Sequence, residues 1–139
     1  IRGRHGSSLN HSRAILVSVL QGKILGVAVD FRVGSPTFGR AISVELDSIE
    51  NKQLFIPRGF LHGFSVLSED AIVNIKIDRY FAAGESIGVK YDDKDLSIDW
   101  KISAKDIILS KVDIELKLFK DVISPFDYGK NYYLMKQFV

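Results

Sequence analysis

Gln53-Leu54-Phe55-Ile56-Pro57-Arg58-Gly59-Phe60-Leu61-His62-Gly63-Phe64-Ser65-Val66-Leu67-Ser68 sets two apolar, strand-like segments on either side of a Pro-x-Gly turn and delivers one histidine straight after it. Pro57 pre-sets φ and Gly59 allows the tight reversal, so the turn fixes where His62 points. The layout predicts a β-barrel pocket with a polar group at its mouth.

Working outward, Ile15 to Leu20 and Ile24 to Phe31 are β-rich runs joined by Gln21-Gly22, which reads as a hairpin turn. Gly34-Ser35-Pro36 marks a loop, and Gly39 to Leu46 resumes with alternation of Ile42, Val44 and Leu46 against Ala41, Ser43 and Glu45. Ala71 to Ile77 reads as a further strand of period two. Strand-sized runs every roughly 8 to 12 residues point to an all-β barrel or sandwich, not to alternating β and α units. Helical spacing enters late: Val112, Leu116, Leu118 and Phe119 predict one face of a short C-terminal helix, ended by Pro125.

With 139 residues the chain has the length of one domain. Its net charge of +2 and the lack of any block of like charges argue against a nucleic-acid partner or a polybasic membrane patch. There are no cysteines, so neither disulfides nor a thiolate zinc site can hold the fold, and cytoplasmic residence fits. The longest apolar runs, such as Ile24 to Val29, fall far short of the roughly 20 residues that span a bilayer. Ile1 opens inside a strand, and the sequence is read as starting part-way into a domain.

Three histidines, His5, His11 and His62, are the candidate neutral-pH bases. Barrels of this size often hold a metal through a His-x-His pair and a carboxylate; this chain has no His-x-His, and no metal site is expected. His11 reads as an exposed-loop residue. The basic residues Arg2, Arg4 and Arg13 suit a small anion such as a phosphate.

Arg2-Gly3-x-His5, Val27-Ala28-Val29-Asp30 with Arg32 and Ser35-Pro36-Thr37, Gln53-Leu54-x-Ile56-Pro57-x-Gly59-Phe60-x-His62-Gly63-Phe64, Tyr91-Asp92-Asp93 with Ile98-Asp99-Trp100, and Leu109-Ser110-x-x-Asp113 occur in one order and spacing. Together they resemble the dTDP-4-dehydrorhamnose 3,5-epimerases over roughly Ile1 to Asp121. The resemblance implies a cupin-like double-stranded β-helix, a jelly-roll barrel filling residues 1–139, with the N-terminal part of the family domain lying before Ile1. It further implies a homodimer without metal or organic cofactor, acting on a nucleotide-diphosphate 4-keto sugar in surface-polysaccharide or glycosylated-metabolite assembly.

Both carbons epimerised in this family flank the C4 ketone, so removing either proton leaves an enolate with its charge on O4. By resemblance His5 is the base and Asp113 its carboxylate partner. Arg2 and His62 would lie near the sugar, the phosphates or the O4 charge. Taken alone, Asp113 reads as a turn carboxylate and Arg2 as a solvated charge. Strict alternation sets Arg2 and His5 on opposite strand faces, and a bulge at Gly3 offers the means to re-aim them.

The departures from the family fall in the same pocket. Counting from His5 without gaps, the family lysine facing the enolate oxygen falls on Ile15, the tyrosine that reprotonates the opposite face on Ile75, and a second pocket tyrosine on Phe81. Arg13, two residues before Ile15, has the reach to approach the same oxygen; Tyr80 should point away. Three readings follow: an epimerase that keeps its His-Asp base and acts at one or both carbons, a 3,4-ketoisomerase on the same substrate class, and a non-catalytic sugar-nucleotide-binding cupin.

Overall fold

The computed structural model describes residues 1–82 and 84–133, which are mostly antiparallel β with helix confined to single turns. Strands β1 (Arg2–Ser7), β2 (Ile15–Asp30), β3 (Arg32–Val33), β4 (Ala41–Asp47), β5 (Leu54–Ile56), β6 (Phe60–Ile77), β7 (Ser86–Val89) and β8 (Phe126–Asp127) are joined by short turns and one-turn helices. The main sheet runs β4-β2-β6-β1-β7, with β5 also on β2, while β3 and β8 make a parallel ribbon.

The spine is the β2–β6 ladder, from Ile15 opposite Ile77 to Asp30 opposite Phe60. Its register shifts at Val19/Gln21 and again at Gly22/Ile24, where Gly22 has φ +76°. Gln21-Gly22 is therefore a bulge inside one continuous strand, not the turn of a hairpin. The reason lies in the partner: β6 is irregular at the same level, Ser68 Oγ accepts the Lys23 N–H at 2.8 Å, and Gln21 Nε2 donates to Asp70 Oδ1 at 3.1 Å. Both strands bend together and neither reverses. The same continuity absorbs Ala71 to Ile77 into β6.

The bend brings the two halves of the ladder face to face. Ile15, Val17 and Val19 from the first half of β2 join Ile24 and Ala28 from its second half, with Leu46 and Ile56, in one interior cluster. The opposite face of the second half carries Leu25, Val27, Val29 and Phe31 into another cluster with Leu61, Val89, Leu96, Trp100 and Phe126. Covered on both faces, Ile24 to Phe31 reads as an almost unbroken apolar run instead of alternating. Trp100 Nε1 donates to the Tyr91 carbonyl at 2.8 Å, and Ser65 Oγ donates to the Trp100 carbonyl at 2.8 Å, tying the 91–100 segment over that face.

A buried carboxylate organises the approach to the Pro57–Gly59 turn. Asp30 accepts from Arg32 Nε at 2.9 Å, Arg32 Nη2 at 2.8 Å, Ser35 Oγ at 2.6 Å and Thr37 Oγ1 at 2.7 Å. Burial alone would raise its pKa, but these donors outweigh burial and hold it at about 2. Arg32 then lies over the rings of Phe60 (4.6 Å) and Tyr128 (4.9 Å). Gly59, at φ +87°, fits only because it lacks a side chain, since a Cβ would stand 2.6 Å from Arg32 Cγ. The start of β6, and with it His62, is thereby fixed.

The C-terminal helix is much shorter than the apolar spacing predicts. α1 covers only Lys111–Ile114, and Val112 is 62% exposed. Beyond it the backbone is captured at the edge of the sheet, where Lys117 bridges to Val89 and accepts the Lys90 N–H at 2.9 Å. Phe119 sits in a separate 3₁₀ turn against Phe31 and Phe38, and Pro125 ends no helix. Of the aromatic residues near the end of the sequence, Tyr128, Tyr132 and Tyr133 pack on their own chain, against Arg32, Phe126 and Arg58 respectively, and Phe138 lies outside the described residues.

Candidate active site

β1 is bulged. Arg2 pairs with Phe64 and His5 with His62, so three steps along β1 match two along β6. Phe64 and His62 share one face of β6, and the extra residue therefore brings Arg2 and His5 opposite that same face. It is the concave face, since Phe60, Phe64 and Val66 pack on the interior cluster around Ile15 and Ile24.

Gly3 stands in the bulge and donates its N–H to Asp113 Oδ1 at 3.1 Å; a Cβ there would lie 2.2 Å from that oxygen. His5 Nε2 is 2.7 Å from the same Oδ1. Ser110 Oγ donates to Asp113 Oδ2 at 2.7 Å and accepts the Asp113 N–H at 3.2 Å. Asp113 is 3% exposed, whereas the His5 side chain is 30% exposed. Burial pulls the Asp113 pKa up, but the bonds from Ser110, His5 and Gly3, with the charge of His5, outweigh it and hold the carboxyl below its ordinary value. Facing a carboxylate, Nε2 carries the proton of the neutral ring and Nδ1 the lone pair. Gly88 pairs with His5 from β7, and a Cβ at that position would come within 3.0 Å of Nδ1.

The His62 side chain is half-buried on the concave face, and burial, then the positive charges of His5 and Arg13, push its pKa down to about 4. At neutral pH it is an uncharged imidazole able to donate a hydrogen bond. Arg13, half-buried just before β2, stacks 5.0 Å above the Phe81 ring, and burial lowers its pKa. Arg2 is exposed and makes no side-chain hydrogen bond or ion pair among the described residues. The Arg4 side chain lies outside the described part of the structure. His11 occupies a 3₁₀ turn away from the dyad, 3.7 Å from Glu85 Oε2.

Ile15 is 6% exposed within the interior cluster, opposite Ile77 and Ile56. Ile75 pairs with Val17 and is 40% exposed, and Phe81 is 64% exposed. Tyr80 points into solvent. Two residues at the dyad carry no assignment from the sequence. Ser110 stands inside a recognised motif but shows no chemistry of its own until Asp113 is seen beside it. Gly88 had a legible signal, a lone glycine within a strand pattern, which marks a close approach. Among the described residues no group of three or more His, Cys, Asp and Glu is disposed to hold a metal ion, and no helix is long and apolar enough to cross a membrane.

The mostly antiparallel β fold is cupin-like by its structural neighbours, which are solved sugar-nucleotide epimerases. The crystal structure of dTDP-4-dehydrorhamnose 3,5-epimerase from Elizabethkingia anophelis NUHP1 superposes with a TM-score of 0.84 at 47% identity, covering 88% of this chain and 67% of that one. That of dTDP-6-deoxy-D-glucose-3,5-epimerase from Legionella pneumophila Philadelphia 1, in complex with dTDP-4-keto-L-rhamnose, gives 0.80 at 41%, covering 87% and 63%. In sequence, the dTDP-4-dehydrorhamnose 3,5-epimerase of Shigella flexneri is 36% identical over 121 residues, 87% of this chain and 66% of the relative. The profile of the dTDP-4-dehydrorhamnose 3,5-epimerase family matches residues 1–121, and the chain belongs to that family. It spans about two thirds or less of the length of the curated relatives, 66% of the Shigella protein and 58% of the one from Methanothermobacter thermautotrophicus.

Proposed function

We propose that this protein removes a proton alpha to the C4 ketone of a nucleotide-activated 4-keto-6-deoxy sugar, with His5 as the base and Asp113 as the group that orients it. The observation that carries the reading is the 2.7 Å contact between His5 Nε2 and the buried Asp113 carboxylate. The carboxylate sets the tautomer with Nδ1 free, and it stabilises the imidazolium formed when Nδ1 takes the C–H proton. The electron pair left on carbon delocalises onto O4. His62, neutral and a hydrogen-bond donor, and Arg13, a cation with a flexible reach, would meet that charge; Arg2 at the rim would take the diphosphate. The Legionella relative, bound to dTDP-4-keto-L-rhamnose, supports the substrate class.

The apolar wall of Ile15, Val17, Ile75 and Ile77 favours a second reading within the first, action at a single carbon. His5 and His62 stand on β1 and the first half of β6, away from this wall on the first half of β2 and the second half of β6, and isoleucine cannot return a proton. A homodimer belongs to this proposal as well: from Ala71 to Ile77, β6 pairs with β2 on one edge and with no strand on the other among the described residues.

Incubating the full-length protein with dTDP-4-keto-6-deoxyglucose in D₂O and following the sugar protons by NMR tests these readings. Exchange at C3 and C5 supports the family reaction, exchange at C3 alone a single-centre epimerase, and a displaced carbonyl the 3,4-ketoisomerase. Binding without exchange across several nucleotide sugars leaves a non-catalytic cupin and sinks the enzymatic proposal.

A further inference from the structure

We infer that Ser110 is a positioning residue of the site: its hydroxyl, opposed by the Gly3 N–H, locks the Asp113 carboxylate in the orientation that presents Oδ1 to His5 Nε2. The inference rests on the proposed role of the dyad and adds the group that aims it.

Asp113 sits on a single helical turn, Lys111–Ile114, at the end of a long irregular segment. One turn is too short to be rigid through its own hydrogen bonds, so the carboxylate must be held by what touches it. The two oxygens are held differently. Oδ1 receives the Gly3 N–H at 3.1 Å and His5 Nε2 at 2.7 Å. Oδ2 has one side-chain donor, Ser110 Oγ at 2.7 Å. Ser110 holds Asp113 twice, because one lone pair accepts the Asp113 N–H at 3.2 Å while its only proton goes to Oδ2. Removing the hydroxyl leaves a buried Oδ2 without a donor and frees rotation about Cβ–Cγ, which carries Oδ1 away from the histidine. Gly3 completes the clamp from the other strand, and its missing Cβ is a condition of it, since 2.2 Å separates that position from Oδ1.

Ser110 also caps α1, so the test must separate capping from aiming. Glycine is nearly as good a cap as serine yet has no hydroxyl, and threonine keeps the hydroxyl. In the full-length protein, the downfield proton resonance of His5 Nε2–H and the rate of α-proton exchange are measured for wild type, Ser110→Gly, Ser110→Ala and Ser110→Thr. Losing a hydrogen bond to a charged group predicts a fall in kcat of about 10-fold or more for the Gly and Ala variants, with KM unchanged. Their resonance moves upfield or broadens away, and the Thr variant retains both wild-type signals. A Ser110→Gly protein with wild-type resonance and kcat overturns the inference and leaves Ser110 as a cap alone. Should the wild type turn over no 4-keto sugar, the proposed function falls while the resonance still decides the role of Ser110.

Discussion

His5 Nε2 stands 2.7 Å from Asp113 Oδ1 although 108 residues separate the two along the chain. β1 supplies one and the turn after the long 90–110 segment the other, and the bulge at Gly3 lets them meet without a clash. Asp113→Asn keeps the shape of the partner but can offer His5 Nε2 an N–H in place of an oxygen, which selects the wrong tautomer. His5→Asn removes the base itself. Each is expected to slow α-proton exchange by roughly 10²–10⁴ while leaving affinity for the nucleotide part of the substrate unchanged. Deuterium incorporation rates together with a calorimetric titration of dTDP check both halves of this expectation; undiminished exchange in either variant removes the dyad from the reaction.

His62 gives the fold a pH dependence with a definite sign. Its folded pKa of about 4 lies below its ordinary value of 6.5, so between these values the unfolded chain binds a proton that the folded chain refuses. Stability is therefore full above pH 6.5 and declines as pH falls toward 4, at a rate of up to about 1.4 kcal/mol per pH unit. His62→Gln should flatten this part of the profile. Denaturant unfolding at several pH values between 4 and 7.5 reads the difference, and an equal slope in both proteins would count against the burial described for this ring.

The fold was legible where chemistry is local, and less so where a partner strand decides. Pro57 and Gly59 announce their turn, and the alternation from Ala41 to Leu46 marks β4. Gly22 does not declare itself, because a glycine at positive φ serves a turn or a bulge equally well; only the matching irregularity at Ser68–Asp70 decides for the bulge. Val112, Leu116 and Phe119 have helical spacing, yet pairing of Lys117 at the sheet edge stabilises an extended chain instead. In the site, no local pattern links His5 to Asp113. Their pairing could be anticipated only from motifs in register and the contact of Ser110 only from the three-dimensional structure, whereas Gly88 left a trace as a lone glycine within a strand.

Asp30 holds Arg32 against the turn that aims His62. Asp30→Asn keeps the volume but removes the charge that faces Arg32, and the amide cannot accept from Arg32, Ser35 and Thr37 together. A buried ion pair broken on one side typically costs about 3 kcal/mol or more. The expected result is a loss of this size at neutral pH in chemical denaturation, with the difference from wild type shrinking as pH falls from about 4 toward the folded pKa of about 2. A variant as stable as wild type would show that the Arg32 stack on Phe60 and Tyr128 suffices without the charge.

The apolar wall makes a prediction about stereochemistry. Ile75 projects from β6 beside Val17, and its partial exposure leaves room for a larger side chain. When His5 takes a proton from one face and no group on the opposite face can supply one, the enolate is reprotonated chiefly from the side it came from. Wild-type protein in D₂O should then incorporate deuterium faster than it inverts configuration. Ile75→Tyr places a phenol where the family resemblance puts an acid, and a general acid contributes about 10²–10⁴ to the step it assists. Inversion should rise relative to exchange, with the exchange rate itself little altered because His5 and Asp113 are untouched. Chiral analysis of the sugar beside its deuterium content measures both quantities in one sample. If inversion already keeps pace with exchange in wild type, the opposite face has a proton donor outside this wall, and Ile75→Tyr should then leave the ratio where it was.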